Sequence, residues 1–214
     1  WRRSCGSAKR NWPEQGFGSA RARTVPGFPM SYCAFANALP AGTDDPNKAY
    51  HDQAYGFPVE GDDALFGRLL LEINQAGLSW TLMLRKQQAF EAAYSGFSVA
   101  RVAAYGAAER ERLLQDAGIV RNRLKVDAAI HNARRIVELQ ASHGSFKAWL
   151  DAHHPLALAE WIRLFKQQFK FVGGEIVNEF LMSTGYLPGA HTPDCPVHRR
   201  VLRARPAWAC TSKP

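Results

Sequence analysis

The chain has 214 residues, 46% of them hydrophobic, and a formal net charge of +8. This suits one domain with a core of ordinary size, and no run of about 18 apolar residues reads as a membrane-crossing helix. The positive charge sits at the ends: residues 1–29 hold six Arg/Lys and one Glu, residues 199–214 hold five Arg/Lys and no acid, and residues 30–198 hold 16 basic and 18 acidic groups. The high isoelectric point therefore says little about what the central part binds. Of the four cysteines, Cys5 and Cys210 fall in these end segments. Cys33 and Cys195 alone are too few for a disulfide framework, which points to a reducing, intracellular setting.

In chain order, residues 1–29 are rich in Arg, Ser and Gly and nearly free of acid. They read as a disordered extension ahead of an effective start at Met30, with a transit peptide as the competing reading. Residues 31–61 carry Pro40, Gly42, Asp44, Asp45, Pro46, Gly56 and Pro58 with little periodicity, so an ordered loop layer with room for a short helix is expected. Asp62 and Asp63 are placed to cap a helix running to about Ala76. Further helices are expected over Ser79–Tyr94, Ser98–Tyr105, Ala107–Ala117, Asn122–Ala141, Phe146–Ala152, Leu156–Gln168 and Glu175–Ser183. Residues 199–214 read as a basic tail. With no convincing strand and no repeat, the fold class is all-α, in one domain spanning 30–198.

The segment Leu71–Trp80 stands out. Leu65, Phe66, Leu69, Leu70, Ile73 and Ala76 recur at spacings of three and four, and Glu72 lies on that same surface. A carboxylate beside an apolar stripe costs free energy unless it meets a donor, so it is salt-bridged or reserved for a ligand. Gly77 ends this helix and Ser79 can cap the next, so a tight corner presents Gly77, Leu78 and Trp80 beside the acid.

A second joint runs from Leu113 to Lys125. One helix stops at Gly118, Ile119 and Val120 pin the turn, and another helix begins at Asn122. The free N–H groups at its start attract anions. Arg121, Arg123 and Lys125 cluster there, as they would if a helix-hairpin-helix gripped a phosphate backbone without reading bases. A solvated basic face on an ordinary helix pair is the competing reading.

Cys33, His51, His191 and Cys195 are tetrahedral zinc ligand types placed at the two ends of the body. Four protein ligands leave no open position, so such a zinc would be structural, joining the N- and C-terminal segments. His198 is an alternative to His191, and Asp194 a neighbour. Asp52 follows a candidate ligand and suits a role behind it.

The ordered series Ala49-Tyr50-His51-Asp52, Glu72 to Trp80, Asp116-Ala117-Gly118-Ile119 with Arg121-Asn122-Arg123, Phe169-Lys170-Phe171-Val172-Gly173, and His191 with Cys195 resembles the DNA-3-methyladenine glycosylase I family of the helix-hairpin-helix superfamily. The resemblance covers residues 31–198. It implies a helix-hairpin-helix glycosylase fold with a Cys2His2 zinc site (Cys33, His51, His191, Cys195). It also implies a monofunctional enzyme without lyase activity, a bacterial cytoplasmic monomer that cuts the N-glycosidic bond of 3-methyladenine in alkylated double-stranded DNA by base flipping. Glu72 matches the family's base-contacting glutamate, Tyr50 and Trp80 the aromatics enclosing the purine, and Phe35 an aromatic wall that is usually Trp. Gly77 and Leu78 match the corner that fills the gap in the duplex, and Gly118, Arg121, Arg123 and Lys125 are expected on the DNA backbone. The chain departs from the family at Glu175, Asn178 and Glu179, and in a longer Cys33-to-His51 interval. A non-catalytic helix-hairpin-helix DNA-binding module with a structural zinc is the alternative function.

Overall fold

The computed structural model describes residues 31–40 and 42–210; the expectations for residues 1–29 and Met30 fall outside them. Among the described residues all regular structure is helical. The helices are α1 Tyr32–Ala38, α2 Pro46–Gln53, α3 Asp62–Gln75, α4 Trp80–Ala93, α5 Val99–Ala103, α6 Ala107–Gln115, α7 Arg123–His143, α8 Phe146–His153, α9 Leu158–Gln168, α10 Gly174–Ser183 and α11 Pro196–Arg203. No described helix is long and apolar enough to cross a membrane.

The α3 helix is the hub. Its stripe Leu65, Phe66, Leu69, Leu70 and Ile73 is almost wholly inaccessible, and α4, α7, α8 and α10 pack around it. Fully burying a large apolar side chain contributes about 1.5–3 kcal/mol, so this stripe fixes where every neighbouring helix lies. The expected caps behave differently from the sequence reading. Gly61, not an aspartate, occupies the N-cap of α3. Asp62 instead accepts from the N–H groups of Phe146 (2.8 Å) and Lys147 (3.0 Å) at the start of α8. Asp63 accepts from Val99 N–H at 2.8 Å, at the start of α5. The two acids thus tie neighbouring helix N-termini to α3, where positive helix ends favour them.

Two expectations at the edges need correction. Residues 31–61 hold two helices, α1 and α2, where a loop layer with room for one short helix was expected. Ser31 accepts from Ala34 N–H at 3.1 Å and Asp45 from Asn47 N–H at 2.8 Å, with Pro46 at the first helical position, so residues that read as turn formers are helix starts. The body also runs past the expected boundary at residue 198. Val197 and Val201 of α11 are buried, and Trp208 N–H reaches Gly185 O at 3.2 Å. The spacing of four between these valines presents one apolar face in a run whose charge alone suggested a tail.

Candidate active site and metal centre

The α3–α4 corner carries the acid and its aromatic neighbours. Ser79 caps α4 by accepting from Leu82 N–H at 3.3 Å, and Gly77 adopts φ +82°, a left-handed turn that costs glycine little. Glu72 is 1% exposed, Trp80 5% and Tyr50 7%. The Tyr50 and Trp80 rings lie 5.0 Å apart, tilted at 59°. Asn47 on α2 donates to Thr81 Oγ1 on α4 at 3.0 Å, locking the two helices that bear these rings. One turn before Glu72 on the same face of α3, Arg68 donates to the Tyr50 hydroxyl at 2.9 Å and lies 4.9 Å from its ring centroid. The three predicted site residues are more enclosed than an open pocket would leave them. A surface concavity of about 950 Å³, lined in part by Asp44, Asp45, Leu84 and Arg85, involves none of them.

Phe35 lies one ring removed from Tyr50. Cys33 and Ala36 set the inward face of α1, which leaves Phe35 39% exposed. Its ring stacks on Tyr32 at 6.3 Å, and Tyr32 is the ring that meets Tyr50, at 6.5 Å. Tyr55 packs on Tyr50 from another side at 5.5 Å and donates to Glu179 at 3.3 Å, so that departure from the family pattern reaches the site through one tyrosine. Tyr32, Tyr55 and Arg68 were missed from sequence. Arg68 alone left a signal, four residues before Glu72.

The α6–α7 hairpin, Asp116–Asn122, is braced both by its own Asp116 and from α4. Asp116 Oδ1 accepts from Gly118 N–H at 2.7 Å, and Lys86 Nζ donates to Ala117 O (3.2 Å) and Gly118 O (2.9 Å). Gly118's donor is therefore engaged, not offered to an anion. Asn122 caps α7, accepting from Lys125 N–H at 3.2 Å, and this turns Arg121 and Arg123 to the surface. Lys125 corrects the expectation of a backbone contact. It is 5% exposed, and its ammonium donates to Asn74 O (2.9 Å) and Ala76 O (2.8 Å), the last carbonyls of α3. Burial holds its pKa below the ordinary lysine value. A helix C-terminus favours such a cation, so Lys125 fastens the corner instead of facing solvent.

Cys33, His51, His191 and Cys195 converge, all buried, with candidate ligand atoms within 4.8 Å of one another. Cys33 Sγ lies 3.6 Å from His191 Nδ1, and Cys195 Sγ lies 3.6 Å from His51 Nε2 and 3.7 Å from His191 Nδ1. Metal–sulfur and metal–nitrogen bonds at a tetrahedral angle separate the two ligand atoms by about 3.6 Å, so the group fits a metal ion. Each imidazole is held by its other nitrogen. His51 Nδ1–H donates to Asp52 at 2.7 Å and His191 Nε2–H to Tyr55 O at 2.8 Å, leaving a lone pair on each inward nitrogen. Burial pushes the His191 pKa down to about 4, which keeps the imidazole neutral, as a ligand must be. His191, not His198, completes the set; the His198 ring stacks 6.2 Å from Trp208.

Comparison with known proteins places this geometry. The methyladenine glycosylase family matches residues 41–163. DNA-3-methyladenine glycosylase 1 of Escherichia coli is 33% identical over 166 residues, covering 69% of this chain and 88% of that protein. DNA-3-methyladenine glycosylase of Haemophilus influenzae is 27% identical over 168 residues, covering 69% and 89%. A Staphylococcus aureus 3-methyladenine DNA glycosylase I structure, described as the basis of 3-methyladenine recognition, superposes with a TM-score of 0.68 at 31% identity, covering 78% of this chain and 96% of that one. A tyrosine-to-phenylalanine variant of such an enzyme, solved with 3-methyladenine, superposes at 0.67 and 31% identity, covering 78% and 97%. On a match spanning more than half its length, together with a relative a third identical, this chain belongs to the methyladenine glycosylase family.

Proposed function

We propose that the protein hydrolyses the bond between 3-methyladenine and deoxyribose in alkylated duplex DNA, as a monofunctional glycosylase. The observation that carries this reading is a glutamate, Glu72, buried on α3 one turn after Arg68, which donates to the hydroxyl of Tyr50 in the Tyr50–Trp80 ring pair. In the lesion, methylation makes the base cationic. Electron-rich ring faces favour a cation over the neutral base, and a carboxylate can accept from the exocyclic amine. The base then leaves with the glycosidic electron pair as a neutral purine, so little acid help is needed. Water adds to the sugar carbon and its proton goes to solvent.

A site this enclosed takes only a nucleotide turned out of the stack, and a poorly paired lesion flips at lower cost. Gly77 and Leu78 at the corner would fill the gap, while Arg121 and Arg123 hold phosphates. Lyase chemistry needs an amine nucleophile. Lys125, the lysine beneath the corner, is already engaged with two carbonyls, in keeping with a simple hydrolase. The metal is read as zinc, the ion suited to two thiolates and two imidazoles. It would supply structure alone, since four protein ligands close its shell. The setting is read as the bacterial cytoplasm, with the protein acting as a monomer.

The test is release of free base from methylated duplex. The parent should release 3-methyladenine, and Glu72→Gln should lower the rate about 100-fold, the scale of one preorganised electrostatic contact, while duplex binding persists. Tight binding by the parent without any release would sink the enzyme reading in favour of a non-catalytic DNA-binding module.

A further inference from the structure

Phe171 is an aromatic held outward on unfavourable backbone. Its φ is +59°, a region that bulky L-residues avoid, and its ring is 38% exposed while Phe169 and Val172 beside it are buried. The kink is fixed by Asn132, fully buried in α7. Asn132 Nδ2 donates to Lys170 O at 3.1 Å, and its Oδ1 accepts from Lys170 N–H at 2.8 Å. A buried amide is costly unless paired, so Asn132 binds this one residue and sets the turn that follows.

The position of the ring matters as much as its exposure. It lies 5.8 Å from the Lys125 ammonium, which itself holds the carbonyls of Asn74 and Ala76 beside Gly77 and Leu78. The start of α7, which bears Lys125, is a cationic surface. The Asp127 carboxyl is held below the usual range first by its hydrogen bond from Arg110, and in smaller part by Arg123 and Lys170, which marks both as neighbours of one carboxylate. Arg121, Arg123 and Lys170 are all exposed, as is Leu124 at 66%. An apolar ring framed by cations, next to the corner, complements a polyanion carrying flat apolar faces, and that is duplex DNA opened at a lesion.

We propose that Phe171 is a DNA-contacting residue, its ring packing on a nucleotide beside the extruded one, and that Asn132 is the positioning residue that holds it there. This rests on the glycosylase reading above. The competing role is structural, with the ring doing no more than covering the Lys125 side chain.

Duplex affinity, free 3-methyladenine affinity and thermal stability, measured on the full chain, separate the two roles. Duplex containing a stable abasic-site analogue is the DNA probe. Phe171→Leu keeps an apolar cover on Lys125 but removes the ring, and should weaken duplex binding about 5- to 100-fold, the range for loss of one base–aromatic stack. Free-base affinity and Tm should stay at parental values, and Phe171→Trp should retain duplex affinity. Phe171→Asn suits the left-handed backbone and should lose duplex affinity without a fall in Tm. Parental duplex affinity in both Phe171→Leu and Phe171→Asn would overturn the proposal, and so would a loss matched by equal losses in Tm or free-base affinity. If the parent releases no base yet duplex binding still depends on Phe171, the glycosylase reading fails and this one stands; if base is released and Phe171 is dispensable, the reverse holds.

Discussion

Two joints in this molecule share one plan, a helix ended shortly before a glycine and another begun within a few residues, yet their glycines serve different needs. At the α3–α4 corner, Gly77 has φ +82° and a Cβ there would meet nothing within 4 Å. Backbone handedness is the whole requirement. In the α6–α7 hairpin no left-handed φ is involved at Gly118, but a Cβ would lie 2.9 Å from Asp116 Oδ1 and 3.2 Å from Ala89 Cβ. There the requirement is space. Each joint is held by a lysine of another helix, Lys125 at the corner and Lys86 at the hairpin, and by a side chain of its own, Gln75 and Asp116. One joint is shaped to present residues, the other to sit rigidly against α4.

Metal removal sets the reference, since it should spare neither joint. With metal at about 1,000 times its Kd the linked stabilisation is about 4 kcal/mol. At roughly 2–4 °C per kcal/mol for a domain of this size, a strong chelator should lower Tm by roughly 10 °C in a scanning calorimeter. An unchanged Tm, with metal analysis confirming removal from a protein that had held it, would rule out the structural role. Next in size, Lys125→Met should destabilise by about 2 kcal/mol through the two carbonyls left without their donor. It should also slow base release while leaving the salt dependence of DNA binding intact. A steep change in that dependence would mean that Lys125 touches phosphate after all.

The glycine pair gives the sharper contrast. Gly118→Ala should cost about 1–3 kcal/mol through overpacking and Gly77→Ala about 1–2 kcal/mol through backbone strain. Asparagine discriminates: Gly77→Asn should recover much of the loss because Asn tolerates the left-handed region, and Gly118→Asn should recover none. Equal denaturation midpoints for the two Asn variants would contradict the division of roles. Smallest in stability are Arg121→Ala and Arg123→Ala, expected within about 0.5 kcal/mol of the parent as exposed substitutions. Each should nevertheless flatten the slope of log affinity against log salt by about 1.

The same contrast shows what was legible in the sequence. Helices α3 to α10 could be read because each repeats apolar residues at helical spacing, and Glu72 stood out because it broke that stripe. The α1, α2 and α11 helices were hidden less by their length, since α5 is shorter than any of them, than by starts that look like turns or tails. Charge was the least legible property. Lys125 was grouped with Arg121 and Arg123 by type, but the cap at Asn122 rotates it inward while they turn out. Asp62 and Asp63 look like caps for their own helix and serve α8 and α5, contacts across 84 and 36 residues. Cys33, His51, His191 and Cys195 were visible as ligand types. Their convergence follows only from where α1, α2 and the segment before α11 are packed.

That convergence has a consequence for how the molecule is made. His51 and Cys195 are 144 positions apart, and Cys33 and His191 are 158 apart. During synthesis Cys33 and His51 therefore leave the ribosome more than a hundred residues ahead of His191 and Cys195. A metal bridge across this group would form only after the helical body between its two halves has been made, and any product broken off before His191 has nothing to close on. Metal held by this group would thus distinguish molecules that include His191 and Cys195 from fragments that contain only Glu72, Tyr50 and Trp80.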